Sequence, residues 1–193
     1  MDLTALLDRA LPGPGSLLDR ASQKSQAALS SALHRPAVAP VTTALRGNEW
    51  LGHPLHPVVV ALPIGAWALG GWYDARSART HDPREEQAAD GALRAGVVGA
   101  LAAATTGVVQ YVDARDQARR QTVVHAALNN VALGLYVTSL AMRKRGRRSV
   151  GRRLAAAGLG LVSISGWLGG DLAYRHGVGV GGSSARGRGH SRG

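Results

Sequence analysis

The chain has 193 residues, 45% of them hydrophobic, and carries a formal net charge of +11. Its length fits one domain, and its near-zero mean hydropathy resembles at first sight that of a soluble protein. The absence of cysteine excludes disulfides, thiolate metal sites, iron–sulfur ligation and cysteine-attached haem within the chain. A metal ion or a haem would therefore depend on histidine, aspartate or tyrosine side chains.

The charges are unevenly distributed along the sequence. They are absent from four windows rich in Ala, Val, Leu and Gly, at residues 50–72, 95–112, 121–142 and 154–170. Each window approaches the ~20 residues that a helix needs to cross ~30 Å of hydrocarbon. The helices of a soluble four-helix bundle would instead each show a charged face. We therefore predict an all-α integral membrane four-helix bundle with flexible N- and C-terminal tails.

Residues 1–49 are predicted to form an N-terminal tail, mobile or surface-helical. They contain no apolar stretch of the kind found in a cleaved signal peptide, and turn-forming Pro and Gly residues interrupt them. Leucines at helical spacing would suit short helices on the bilayer surface, but the composition favours disorder. The membrane domain is assigned to residues 50–176, and residues 177–193 form a Gly/Arg/Ser tail that is predicted to be disordered.

The first membrane helix is predicted at about residues 57–73, directly after two histidines. Proline disfavours helical dihedrals in the residue before it, so His53 and His56 should be extended, and Pro57 suits the first helical position. In such an extended segment the two imidazoles would lie roughly 9 Å apart. They are therefore predicted to make two separate contacts rather than one chelate. Pro63 should kink the helix.

Three further helices are predicted, at about residues 92–112, 122–142 and 154–174, with loops at residues 74–91 and 113–121. The second helix carries small residues at four-residue spacing: Gly99, Ala103 and Gly107. Small residues on one stripe let helix backbones approach closely. This stripe is therefore predicted to be a helix–helix interface.

The connection at residues 143–153 has seven basic residues and no acid. The positive-inside rule assigns such a connection to the cytoplasm. Four crossings of a bacterial cytoplasmic membrane would then place both termini on its non-cytoplasmic side. Because the positive charge lies beside apolar spans rather than along a soluble face, membrane lipid is the predicted partner and nucleic acid is not.

Four crossings would bring the start of the first and third helices and the end of the second and fourth to one membrane face. Ionisable residues at these ends are His53, His56, Asp113, His125, Asp171 and His176. Such residues in a membrane bundle usually serve a site when they face inward. Imidazole is the commonest protein metal ligand, and it also binds haem iron. The histidines at these ends are thus candidate ligands.

In the haem b hypothesis, His56 and His125 are the axial ligands of a b-type cytochrome-like subunit, and the same two residues are the candidate ligands of a metal ion. His53 and His176 would contact propionates, orient the ligands or bind a further haem. The alternatives are a divalent-metal binding or transport protein that also uses Asp171, and a structural subunit whose histidines anchor helix ends. No catalytic triad or phosphate-binding loop is visible, so the chain is not predicted to be an enzyme by itself.

Two motifs resemble a known family. The first is Gly-His-Pro-Leu-His-Pro at residues 52–57, followed by Leu-Pro-Ile-Gly-Ala-Trp at residues 62–67, and the second covers residues 165–180. Over roughly residues 46–180 the chain is similar to domain-of-unknown-function family 2231, a bacterial group of predicted four-helix membrane proteins. Some members look fused to, or neighbouring, Rieske-type iron–sulfur domains, which implies membrane electron transfer with a redox partner of that type. The family often has an acid shortly after the second histidine, where this chain has Val60 and Ala61.

Overall fold

A computed structural model describes Arg9 and residues 11–178 of the chain. This part is all-helical, with six helices and no strand: α1 Leu17–Leu33, α2 Ala39–Arg46, α3 His56–Thr80, α4 Pro83–Tyr111, α5 Asp116–Lys144 and α6 Arg148–Tyr174. The all-α prediction is therefore confirmed for the described residues. The prediction for residues 179–193 lies outside them.

Three helices, α3, α4 and α5, are long and apolar enough to cross a membrane. Only 17–33% of their most apolar windows is buried inside the protein, and exposed side chains such as Leu62, Trp72, Val98 and Val131 leave an apolar outer surface. A surface of this kind suits lipid better than water. The chain is thus a membrane protein with three candidate spans.

Helix α6 is not long and apolar enough to count as a fourth candidate span. The prediction of a four-helix membrane bundle is therefore fulfilled only in part. Its uncharged part, residues 154–170, lies between Arg153 and Asp171. At 1.5 Å per residue it is about 25 Å long, which is shorter than the ~30 Å of hydrocarbon in a bilayer. Six described helices and three candidate spans replace the simple four-helix scheme.

Two helices, α1 and α2, lie where the sequence favours a disordered tail. Local signals explain both. The Ser16 hydroxyl caps α1 by accepting from the Asp19 amide. In α2, a proline lies in the first turn and Gly47 ends the helix in the left-handed conformation, with φ of 80°. Of the two alternatives for the N-terminal tail, mobile or surface-helical, the described structure has residues 17–33 and 39–46 as helices.

The predicted loop at residues 74–91 is also helical, because α3 continues to Thr80 and α4 begins at Pro83. The charges that suggested a loop are neutralised inside helices. The Arg143 side chain, only 1% exposed, donates to Asp74 at 2.8 and 2.5 Å and to Asp90 at 2.9 Å. Similarly, α5 begins at Asp116, within the loop predicted at residues 113–121.

The described residues fall into two compact units. The first, here called the histidine unit, comprises residues up to Pro57, Thr106–Val123 and those from Leu168 onward, and it contains His53, His56 and His176. The second, here called the arginine unit, comprises Val58–Thr105 and Val124–Trp167.

The core of the arginine unit forms around an aromatic stack. The rings of Trp67 and Tyr136 lie 4.0 Å apart, nearly parallel, among buried Leu93 and Val162. A Cβ atom at Gly96 would lie 2.2 Å from the Trp67 Nε1. The absence of a side chain there lets the indole ring pack against α4.

The predicted small-residue stripe on α4 is an interface. Gly99 is buried, and a Cβ atom there would lie 3.1 Å from the Pro63 ring. Ala103 is 6% exposed. Gly107, in the histidine unit, faces the His56 ring, with 3.0 Å between a Cβ atom and Cε1. The expectation of close packing along this stripe is therefore confirmed.

An ionic network joins α3, α4, α5 and α6 in the arginine unit. Beside Arg143, Arg148 pairs with Asp90 at 2.9 Å and with Glu86 at 3.0 Å. Arg152 pairs with Glu86 at 3.1 Å and donates to the Ser77 hydroxyl at 3.1 Å. Three arginines thus meet three carboxylates, so the formal charges balance, as largely buried ions require.

Candidate functional site

The four helix ends that were predicted to converge all belong to the histidine unit: the starts of α3 and α5 and the ends of α4 and α6. Five of the six ionisable residues at these ends lie there: His53, His56, Asp113, Asp171 and His176. The sixth, His125, belongs to the arginine unit. Five of the residues thus share one unit, but the predicted cluster of four histidines is not supported.

His56 opens α3 and is oriented by α4. Its Nδ1 atom lies 3.0 Å from the hydroxyl of Thr106, which is 2% exposed. Gly107, one residue further, leaves space for the imidazole. His53, in contrast, is exposed, and its Nδ1 is 3.4 Å from the Pro54 carbonyl. The two histidines therefore have separate environments, as predicted. His56 itself is helical rather than extended, because α3 begins at His56 and not at Pro57.

His125 links α5 to α6. Its Nδ1 atom lies 2.9 Å from the Ser165 carbonyl and 3.0 Å from the same residue's hydroxyl. A carbonyl only accepts, so this hydrogen bond assigns the proton to Nδ1. The Nε2 atom then accepts from the Asn129 amide at 3.0 Å. Asn129 lies one turn along α5, and residues at this four-residue spacing share one face of a helix.

Asp171 anchors the end of α6. Its buried carboxylate accepts from the Gln121 amide at 2.8 Å and from Arg175 at 3.0 Å. The Nε2 atom of His176 is 3.8 Å from the same carboxylate and has no hydrogen-bond partner among the described residues. Sequence reasoning did not identify Gln121, although an amide inside an apolar window is a signal of a buried polar contact.

A polar cavity of about 740 Å³ lies in the histidine unit. Its polar lining includes Arg46, Gln110, Asp113, Arg115, Asp116 and His176. His176 is the only one of the four predicted histidine ligands in this lining. Pro54, the residue after His53, also lines the cavity. Two of the remaining polar residues, Asp113 and Arg115, come from the short segment that joins α4 to α5, and Asp116 is the first residue of α5.

Gln110 is the most informative residue of the cavity. Its side chain is 8% exposed, and the Nε2 atom has no hydrogen-bond partner within the described part of the chain. An unsatisfied buried amide costs ~1–3 kcal/mol. The cavity therefore presents a donor that needs an acceptor. Sequence reasoning missed Gln110, since it lies within the second apolar window.

The charges around the cavity differ in their partners. Arg46 forms an ion pair with Asp113. Arg115 and Asp116 are exposed and form no ion pair with a described residue. Asp116 also has φ of 46°, in the left-handed region that few non-glycine residues adopt. Arg115 is therefore the cation in the lining that is available to a ligand.

Helix α1 contacts the C-terminal end of α4, next to the segment that joins α4 to α5. The Gln26 amide donates to the carbonyls of Tyr111, Val112 and Ala114 at 2.9, 3.2 and 2.6 Å. These include carbonyls that a helix end leaves without partners. The Tyr111 hydroxyl in turn donates to the Ser22 carbonyl at 2.7 Å.

Asp19 attaches α1 to α5. Its carboxylate accepts from Arg119 at 2.9 Å, from Arg120 at 3.2 Å and from the Gly15 amide at 3.0 Å. The backbone hydrogen bond from Gly15 and then the guanidinium of Arg119 lower the pKa of Asp19 to about 2. Asp19 is therefore a carboxylate at neutral pH.

The predicted histidine ligands contact different residues and do not contact a common group in the described part of the chain. Thr106 contacts His56, Ser165 and Asn129 contact His125, and His176 lies near Asp171. Among the described residues, no group of three His, Cys, Asp or Glu side chains could hold a metal ion. The pairing of His56 with His125 at one cofactor stays a prediction.

Comparison with known families gives one match. The model of the family described as "Predicted membrane protein (DUF2231)" matches residues 52–182, more than half of the chain. The helices α1 and α2 precede the matched region. No curated protein and no solved structure matches the chain. The family match extends over the cavity-lining segment, the arginine network and all three candidate spans, and the chain therefore belongs to the DUF2231 family of predicted membrane proteins.

Proposed function

We propose that the chain is a multi-pass protein of the bacterial cytoplasmic membrane that binds a small ligand bearing an oxyanion in the cavity of its histidine unit. The observation that carries this proposal is the Gln110 amide, which is buried, belongs to a residue that lines the cavity and lacks an acceptor among the described residues. A bound carboxylate or phosphate would supply that acceptor.

The charges around the cavity favour an anion over a neutral ligand. Arg115 forms no ion pair with a described residue, whereas the carboxylate of Asp113 pairs with Arg46. His176 adds an imidazole nitrogen without a hydrogen-bond partner among the described residues. Hydrogen bonds from charged donors to an oxyanion are roughly twice as strong as those between neutral groups. Asp116 opposes the anion, so the ligand would have to contact Arg115 rather than the start of α5.

The membrane arrangement that we propose has α3, α4, α5 and α6 as four spans. The uncharged part of α6 is short, but long arginine side chains such as Arg153 extend toward the interface and lengthen the effective span. The basic connection at residues 143–153 would be cytoplasmic. Both termini and the cavity of the histidine unit would then lie on the opposite side.

A binding titration tests the ligand site. The protein would be purified in lipid nanodiscs and titrated with inorganic phosphate and with succinate, each followed by calorimetry and by thermal unfolding. We expect at least one of the two anions to bind and to raise the melting temperature. Gln110→Leu should abolish both effects. Gln87→Leu, an exposed glutamine on the same helix, is the matched control and should retain them.

The same variants also report the state of Gln110 without ligand. If the amide lacks a partner, replacing it with leucine removes an unsatisfied group and should raise the melting temperature of the ligand-free protein. If Gln110→Leu instead lowers that temperature and neither anion binds, ordered water satisfies the amide and the ligand proposal is wrong.

A second candidate function is a b-type cytochrome-like or redox-partner subunit. The observation that favours it is the orientation of His125, whose Nδ1 donates to a backbone carbonyl. Metal-ligating histidines almost always donate their other ring nitrogen in this way. For His125 to act as a ligand, Asn129 would have to release Nε2. Haem needs only one or two imidazoles, whereas a structural zinc site needs four protein ligands.

An absorption spectrum tests this candidate. Protein expressed with a haem supply should show a Soret band, and His125→Ala should remove it or shift it. His81→Ala, at an exposed residue between α3 and α4, should leave the spectrum unchanged. A colourless preparation would exclude haem. If it also binds no anion and no divalent metal, the alternative of a structural subunit without cofactor is favoured, and a Rieske-type redox partner loses its basis.

A further inference from the structure

We infer that a groove in the arginine unit, between α3 and α6, is a binding site for one anionic phospholipid. The groove has a volume of about 500 Å³. Its lining is mainly apolar and includes Trp67, Gly71, Trp72, Ala75, Ala156 and Leu159. At one end it is lined by Arg152 and Asp74. An apolar channel that ends at Arg152, within the basic connection at residues 143–153, matches the two parts of a phospholipid.

Small side chains form the groove. On α3, the lining residues between Trp67 and Ala78 recur at helical spacing, and most of them are Ala or Gly. Eleven residues of helix rise about 17 Å, so the groove follows α3 for roughly half of the hydrocarbon thickness. Ala75 and Ala156 are exposed. An acyl chain laid in the groove would fill the gap between the two helices by dispersion contacts.

The basic connection at residues 143–153, which includes the groove-lining Arg152, carries uncompensated charge. Of the seven basic residues in the connection at residues 143–153, three pair with Asp74, Glu86 and Asp90. The other four are exposed and form no ion pair with a described residue: Lys144, Arg145, Arg147 and Arg153. The local surplus is thus four positive charges, and an anionic headgroup is the complementary partner.

Two further observations favour a phosphate near Arg152. Its Nε atom is buried without a hydrogen-bond partner in the described part of the chain, because the nearest Asp74 oxygen is 3.8 Å away. Arg152 also lies one turn from the start of α6, and no acid occupies that first turn. A helix N-terminus favours negative charge. The negative charge at this end of α6 comes from carboxylates of α3 and α4 and not from α6 itself.

Native mass spectrometry tests the lipid site. Detergent-purified full-length protein would be mixed with phosphatidylglycerol or with phosphatidylcholine of the same acyl chains. We expect one phosphatidylglycerol to be retained at a collision energy that removes phosphatidylcholine. Arg153→Gln and Arg147→Gln, at residues outside the ionic network, should each weaken phosphatidylglycerol binding about fivefold, since each basic residue near an anionic surface contributes ~1 kcal/mol.

A second pair of variants separates the groove from general surface charge. Ala156→Trp should fill the groove and abolish retention of phosphatidylglycerol. Arg94→Gln removes an exposed, unpaired arginine of α4 that does not line the groove, and it should have no effect. Equal retention of the two lipids, or unchanged retention in Ala156→Trp, would overturn the inference. Unfolding of Ala156→Trp would appear as a shifted charge-state distribution. In that case, the test of the lipid site is whether Arg153→Gln and Arg147→Gln weaken phosphatidylglycerol binding.

Discussion

At the residue scale, Asp19 shows how one carboxylate holds a whole helix. It lies in the first turn of α1 and accepts hydrogen bonds from two arginines of α5. Because its pKa is lowered to about 2 from an ordinary value of 3.8, the folded state favours the ionised form. The contribution to stability is therefore fully present above about pH 4 and is lost as the pH falls through 2.

The lowered pKa of Asp19 predicts a measurable pH dependence of the stability of α1. Amide hydrogen exchange in α1, corrected for the intrinsic effect of pH, should be slow at pH 5 and clearly faster at pH 2. Asp19→Asn should speed the exchange at pH 5 and remove most of the difference between the two pH values. Equal protection of the wild-type helix at both pH values would show that Asp19 does not hold α1.

Glycine 96 illustrates the role of a missing side chain at the same scale. In Gly96→Ala, the new Cβ would lie 2.2 Å from the Trp67 Nε1, and the indole cannot easily move because it stacks on Tyr136. Overpacking typically costs ~1–3 kcal/mol, more than the ~1 kcal/mol that alanine gains over glycine in a helix. We expect a lower melting temperature in detergent.

The control for this variant is Gly91→Ala, also on α4, where a Cβ atom would meet nothing within 4 Å. It should be neutral or slightly stabilising. If Gly96→Ala and Gly91→Ala behave alike, the close approach of Trp67 to α4 is not present in the protein.

Individual site residues were only partly predictable from the sequence. The Gly-His-Pro-Leu-His-Pro motif correctly identified His53 and His56 as residues with separate environments. The four-residue spacing of His125 and Asn129 also determines that they lie side by side on a helix. It could not give the roles of Gln110 and Gln121, because a single amide in an apolar window looks the same whether it is satisfied, orphaned or exposed.

At the element scale, the arginine network explains why predicted helix ends were wrong. Charges at residues 74–91 suggested a loop, yet their partners Arg143, Arg148 and Arg152 lie more than fifty residues away in sequence. The hydropathy of a sequence window contains no information about an ion-pair partner that is distant in sequence. The apolar centres of the helices, in contrast, depend on local composition and were predicted well.

The network also makes a stability prediction. In Arg143→Ala, the carboxylates of Asp74 and Asp90 lose their shared buried partner. Removing one side of a buried ion pair typically costs ~3–5 kcal/mol, and unfolding in sodium dodecyl sulfate measures the loss. Arg145→Ala, at an exposed residue without an ion pair, should change stability by less than ~0.5 kcal/mol.

A double variant distinguishes the ion pair from simple loss of packing. Adding Asp74→Ala to Arg143→Ala should cost less than the sum of the two single changes, because residues that share one network are coupled. Strict additivity would mean that the pair between these residues contributes nothing.

At the scale of the whole molecule, the protein combines a membrane domain with a polar cavity in its histidine unit. The family match and the three candidate spans support the membrane part. The cavity and the convergence of four helix ends within one unit require that each pair of neighbouring helices run in opposite directions. The proposed function therefore depends on α6 crossing the membrane as well.

Topology mapping of α6 tests this claim most directly. Alkaline phosphatase and green fluorescent protein would each be fused after Gly146, between α5 and α6, and after Val178, beyond α6. We predict fluorescence without phosphatase activity at Gly146, and phosphatase activity without fluorescence at Val178. The same reporter active at both positions would mean that α6 does not cross, which would contradict the four-span arrangement and the placement of the cavity on the non-cytoplasmic side.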